Sequence, residues 1–241
     1  MADEAQPVGE AKLARIQAIS GLLFASFLIL HLINTALAAA GQDVYDGWQR
    51  AMRWYYQFPV VEIVCVAAAM LVHMWASATR IVRRRRRARE RGEGGAKARP
   101  SLRVRLHRYA GYYLFAAAAA HMVATRLPGL FGHPADFTFL TFSLSYAGIF
   151  FYPYYALLAL SGLIHLAHGV PTALRVIGAR VPGFFIAARS PAFWGVAALG
   201  GGALVLGVIA LGGNLFEVDT TRFAEWKRMY EFLPSSMLPW K

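Results

Sequence analysis

The chain has 241 residues, 57% of them hydrophobic and only 16% charged, with mean hydropathy +0.41 and a formal net charge of +12. A soluble domain carries about 25% charged residues, whereas here the apolar residues fall in blocks close to the ~20 that a membrane-spanning helix needs. These figures exclude a disordered chain, a disulfide scaffold and an ordinary soluble enzyme, and they point to an integral membrane protein. The one cysteine, Cys65, leaves no internal disulfide and no thiolate set for a zinc or iron–sulfur site.

The opening MADEAQPVGEAK is polar and acidic, without a basic n-region or cleavage site, so no removable signal peptide is expected. Five apolar blocks follow at roughly 17–39, 58–80, 105–127, 148–170 and 193–213, which predict an all-α, five-helix transmembrane bundle in a single domain. Of the 25 Lys and Arg, 13 lie between Arg80 and Arg108. The positive-inside rule puts that segment in the cytoplasm, and with it the N-terminus, leaving the C-terminus outside. The loop at 171–192, with Arg175, Arg180 and Arg189, falls on the same inner side. In the outer loops at 40–57 and 128–147 and at the edge of the third block, Arg50, Arg53 and Arg126 are balanced by Asp43, Asp46 and Asp136.

Aromatic clusters at 54–58 and 150–155 sit where interfacial belts belong, and Gly200, Gly201, Gly202 and Gly207 suit close helix packing in the fifth span. The tail at 214–241 is polar and mixed in charge, with a helical stretch around FAEWKRMYEFL on the outer surface. No internal repeat stands out. The partner this charge distribution predicts is a lipid bilayer and not nucleic acid; the Arg-rich, Ala-rich composition suggests a bacterial source, so the cytoplasmic membrane of a bacterium is expected.

The seven histidines carry the functional signal. Ionisable residues inside a span are costly and usually functional, yet each of the first four blocks holds one: His31, His73, His121, and His165 with His168. At ~1.5 Å rise per residue, His31 lies roughly 24 Å beyond Arg15 and His121 roughly 20 Å beyond Arg108. His73 lies roughly 10 Å from Arg80, and His165 and His168 roughly 15 and 10 Å from Arg175. Two layers result, each with members from two helices. Bis-histidine haem needs that arrangement, with two imidazoles on opposite faces of the iron. A proton channel predicts a file of groups and a transporter scattered ones. A haem-free bundle whose histidines tie helices together is the alternative from another class. His107, beside Arg108, reads as a helix-end histidine in contact with water, and His133 as a solvated loop residue.

Four segments carry a resemblance: SGLLFASFLILHLINT around His31, FPVVEIVCVAAAMLVHMWASATR with Glu62 and His73, LHRYAGYYLFAAAAAHMVATR with His121, and LSGLIHLAHGVPTALRVIG with His165. In order and spacing they resemble the five-helix, dihaem cytochrome b subunit of succinate:quinone and quinol:fumarate oxidoreductases, especially the type found with menaquinone. The likeness covers roughly residues 13–178; the fifth span matches in hydrophobicity alone. It implies two haems b ligated by His31 with His121 and by His73 with His165, and a membrane quinone, menaquinone. It also implies a flavoprotein subunit and an iron–sulfur subunit docked on the cytoplasmic face against the 80–108 segment and the N-terminus. The chain itself would carry no dicarboxylate chemistry.

The resemblance places the fourth ligand four residues before Gly169, at His165, while the depth estimate leans to His168; both lie on one helix face. His168 is otherwise a neighbour of a propionate or a quinone. Gln17, fourteen residues before His31, stands where the family has a propionate-binding glutamine. Arg15, Arg108 and Arg175 suit inner propionates and Arg126 an outer one, though each also reads as an interfacial arginine. Glu62 reads as a proton carrier to quinone or as a first-turn carboxylate favoured by the helix dipole. Gly21 and Gly111 let a haem plane approach the backbone or serve helix packing. Tyr109, Tyr112 and Tyr113 line a cofactor pocket or pack. Among redox readings, an anchor for a hydrogenase or formate dehydrogenase is the alternative.

Overall fold

The computed structural model describes residues 8–90, 92, 100–187 and 189–231, and among them every regular element is helical. In chain order these are α1 (Val8–Leu37), α2 (Gln42–Tyr56), α3 (Pro59–Glu90), α4 (Leu102–Leu130), α5 (Phe137–Tyr146), α6 (Gly148–Val176), α7 (Pro191–Leu211) and α8 (Phe223–Glu231). Four helical stretches, Gly9–Ala40, Pro59–Glu90, Gly148–Val176 and Pro191–Leu211, are long and apolar enough to cross a membrane. At 29 residues, α4 has the length. Its arginines at 103, 105, 108 and 126, its two histidines and its tyrosines make it less apolar than the others.

The side-chain distribution is inverted relative to a soluble bundle. Ile63, Leu71, Trp75, Ile149 and Leu199 point outward and exposed, while Ala14, Ala18, Ala25, Ala69, Ala76, Ala110 and Ala159 fill the interior. In water such an apolar exterior would be an aggregation surface; in lipid it is the solvated face. Small interior residues are what let helices approach without a hydrophobic drive between them. At Gly207 of α7 a Cβ would run into the Thr35 carbonyl of α1, so only glycine permits that crossing.

α1 packs on α3, α6 and α7, and α4 packs on α6. Around the common axis, α1 and α4 therefore face each other, as do α3 and α6. One end of the bundle carries the arginines. There α3 continues in helix through Arg83–Arg87 to Glu90, so the segment expected as a loop from residue 80 begins as helix. Arg, Ala and Glu are strong helix formers, and Arg86 bonds Glu90 one turn on at 2.7 Å. Arg91, Lys97 and Arg99 of the basic cluster lie outside the described residues.

The other end is capped by α2, α5 and α8. The sequence reading left α2 and α5 within loops; both form helices instead. Asp136 caps α5 by accepting from the Phe139 amide at 3.0 Å, and Asp46 of α2 accepts from the Phe137 amide at 3.0 Å. The helical tail expected around FAEWKRMYEFL is α8, up to Glu231; residues 232–241 lie outside the described residues. It docks through Trp226, which is fully buried against Ala135, Phe139 and Phe142 and donates its indole N–H to Thr138 at 2.9 Å. Arg222 pairs with Asp136 and with Glu225, and its guanidinium lies 4.4 Å over the Trp226 ring.

Candidate functional site

Two imidazole pairs cross the bundle interior. His31 of α1 meets His121 of α4 with ring centres 6.0 Å apart, and His73 of α3 meets His165 of α6 at 6.1 Å. Each pair bridges helices that face each other, and all four residues are partly buried. Gly21 of α1 lies against His73, ten residues before His31, so the layers are about 15 Å apart along the helix.

The pair at the arginine end is held by backbone. His73 donates Nδ1–H to the Gln17 carbonyl at 2.9 Å, and His165 donates Nδ1–H to the His107 carbonyl at 3.3 Å. A carbonyl only accepts, so in both rings the proton is on Nδ1 and Nε2 keeps its lone pair, the form in which imidazole binds a metal. Four residues after each carbonyl stands a glycine facing the same ring. A Cβ on Gly21 would come 2.7 Å from His73 Nδ1, and one on Gly111 3.0 Å from His165 Cε1. Of the two roles expected for these glycines, approach of a haem plane or helix packing, the structure shows packing: each makes room for an imidazole of the neighbouring helix.

The cradles belong to a longer correspondence. Gln17, Gly21, His31 and Thr35 of α1 recur in register as His107, Gly111, His121 and Thr125 of α4. Both threonines bond back to the preceding histidine carbonyl, Thr35 to His31 at 3.2 Å and Thr125 to His121 at 2.8 Å. The sequence reading found no repeat because the residues between these positions differ.

The pair at the capped end is set among aromatic rings. Phe27 stacks on His31 at 5.5 Å, and Tyr154 and Tyr155 lie 6.3 and 6.4 Å from His121. The 150–155 cluster expected as an interfacial belt thus supplies rings to the bundle interior.

The remaining candidates are placed as follows. The Gln17 side chain is taken up within the protein, donating to Ser77 at 2.8 Å and accepting from Arg80, which also holds Glu10 at 2.9 Å. Arg15, Arg108 and Arg175 are exposed. Tyr109 and Tyr112 face outward, while Tyr113 donates to the Tyr154 carbonyl at 3.3 Å. Arg126 forms a two-pronged ion pair with Glu62, one bond being 3.0 Å, which ties α4 to the start of α3. His133 is not simply solvated: it contacts Glu225 at 2.7 Å. His107 is not a water-facing helix end, because its ring stacks on His165 at 4.2 Å and its Nδ1 is buried. His168 lies 4.5 Å from His107. The carbonyl contacts were beyond sequence reasoning, since every residue type carries the same carbonyl; the spacing from glycine to histidine shared by α1 and α4 was the available signal.

Comparison of the sequence with models of protein families, with curated proteins and with solved structures found no match.

Proposed function

We propose that the chain is a five-span, dihaem cytochrome b subunit that anchors a succinate dehydrogenase or fumarate reductase in the membrane. In this role it carries electrons between an iron–sulfur partner and membrane quinone. The observation that carries the reading is the pair of opposed imidazole couples, 6.0 and 6.1 Å between ring centres. Two imidazoles bound to one metal from opposite sides at about 2.0 Å per bond have ring centres roughly 6 Å apart once the ring radii are added. The donor set fits as well. Each couple offers two imidazole donors from facing helices, the number that a metal carried in a macrocycle would take from the protein.

When bound, the two haems supply one-electron exchange without an open iron position for oxygen. The protein supplies orientation and environment. The Gln17 and His107 carbonyls keep Nε2 of His73 and His165 free for the metal, and Gly21 and Gly111 let the rings sit against neighbouring helices. His31 and His121 are oriented by aromatic contact. With the arginine end in the cytoplasm, His73 and His165 stand nearer the flavoprotein and iron–sulfur partners, and His31 and His121 nearer the outer face. Glu62 is a carboxylate on that outer side, placed to exchange a proton with quinone, and its ion pair with Arg126 holds it at the start of α3.

A reduced-minus-oxidised visible spectrum with pyridine-haemochrome quantification tests this on the purified chain. The expected result is two haems b per chain, one lost in His31→Ala or His121→Ala and the other in His73→Ala or His165→Ala. Loss in His168→Ala with retention in His165→Ala would move the ligand by one turn. A colourless protein would overturn the electron-transfer reading.

A further inference from the structure

Arg103 opens α4 at the arginine end, on the same helix face as His107 and Gly111. It is 1% exposed. Its Nη1 donates to the Ala187 carbonyl at 2.9 Å and its guanidinium lies 4.8 Å from the centre of the Phe193 ring. The other edge of the guanidinium, Nε with Nη2, is buried and has no hydrogen-bond partner among the described residues. Two more buried nitrogens without a partner stand nearby, His107 Nδ1 and His168 Nδ1. Those two rings are 4.5 Å apart.

A guanidinium has only donors and does not lose its charge. Burying it without a counter-charge is strongly unfavourable, so the site is complete only with an anion. The free edge specifies which kind: Nε–H and Nη2–H form the planar, two-pronged fork that matches a carboxylate. Burial also bears on its source, since a group 1% exposed is shielded from headgroups at the lipid face. His107, one turn after Arg103 on α4, adjoins a proposed ligand: its ring stacks on His165 and its carbonyl accepts from His165 Nδ1–H.

We propose that Arg103, with His107 and His168, forms a buried receptor for a carboxylate, and that this carboxylate is a propionate of the haem between His73 and His165. The inference rests on the dihaem reading above. It gives the role to an arginine other than the exposed Arg15, Arg108 and Arg175.

The test is a potentiometric titration of the purified full-length protein, comparing wild type with Arg103→Gln and Arg103→Lys and assigning the couples with His73→Ala. In Arg103→Gln the couple lost in His73→Ala is expected at lower potential, the ferric form favoured by roughly tenfold because a fixed positive charge is gone. The other couple stays in place. Loss of that haem from Arg103→Gln, restored in Arg103→Lys, supports the same assignment; loss in both overturns it, as packing over Phe193 then suffices. An unchanged potential with both haems retained overturns it too. So does a fall in bound lipid phosphorus per chain in Arg103→Gln with potentials unmoved, which assigns the fork to a phosphate. A wild-type chain without haem fails the dihaem reading before any variant is made, so the two failures are distinguishable.

Discussion

The two imidazole layers share a geometry but are built by different means. At the arginine end each ring is fixed by one directional bond to a backbone carbonyl and by a glycine that leaves it no other place. At the capped end the rings are set by aromatic contact, Phe27 stacked on His31 and Tyr154 and Tyr155 tilted and edge-on to His121. Hydrogen bonds to the helix backbone set both tautomer and angle, whereas aromatic contact sets position and leaves rotation softer. The layer nearer the proposed iron–sulfur partner is therefore the more rigid one, and the layer nearer the proposed quinone side the more adaptable.

This contrast can be broken. The largest effect is expected from Gly21→Ala, whose Cβ would stand 2.7 Å from His73 Nδ1: one of the two proposed haems should be lost, and pyridine haemochrome on the purified variant reads it. In Gly111→Ala the opening is 3.0 Å to a ring carbon, so His165 shifts by tenths of an ångström. Partial occupancy and a displaced couple are expected there. Gly207→Ala touches neither layer but drives α7 from α1. It should lower the thermal midpoint by an amount equivalent to about 1–3 kcal/mol while the spectrum is kept. Phe27→Ala should weaken the capped-end layer alone by about 0.5–1.5 kcal/mol, seen as earlier release of one haem on heating.

The smallest expected effect is on the cap. Arg222, and then His133, bond the Glu225 carboxylate and hold its pKa well below the usual 4.5, at about 2. A carboxylate with a depressed folded pKa contributes stability above its unfolded pKa, and loses that contribution as pH falls through the folded value. Docking of α8 should thus hold from pH 7 to about 5 and weaken between about 4.5 and 2, followed by Trp226 fluorescence with the other tryptophans replaced.

The sequence foretold the elements that depend on residue type: the long apolar helices, the four histidines in two layers, and the helical tail. It missed what depends on partners. Gln17 was read for its side chain, yet Ser77 and Arg80 occupy that amide while the backbone oxygen faces His73. Arg126 suits an outer propionate or the membrane interface in its sequence context, because Glu62, 64 residues away, is not its neighbour until α3 and α4 pair. Arg103 was counted within a basic run, because nothing in its sequence context distinguishes one buried arginine from its exposed neighbours. The α2 and α5 helices were hidden because their polar and aromatic residues resemble those of interfacial loops.

The register shared by α1 and α4 has a consequence for how the molecule comes into being. The first half of the chain supplies His31 and His73, the second half His121 and His165, and each couple takes one ring from each half. Neither half contains a finished couple. Joining the halves and completing both layers are therefore one event, which fixes an order of assembly. During synthesis both couples stay open until the second half has entered the bundle, so neither layer can be filled from a fragment of the chain.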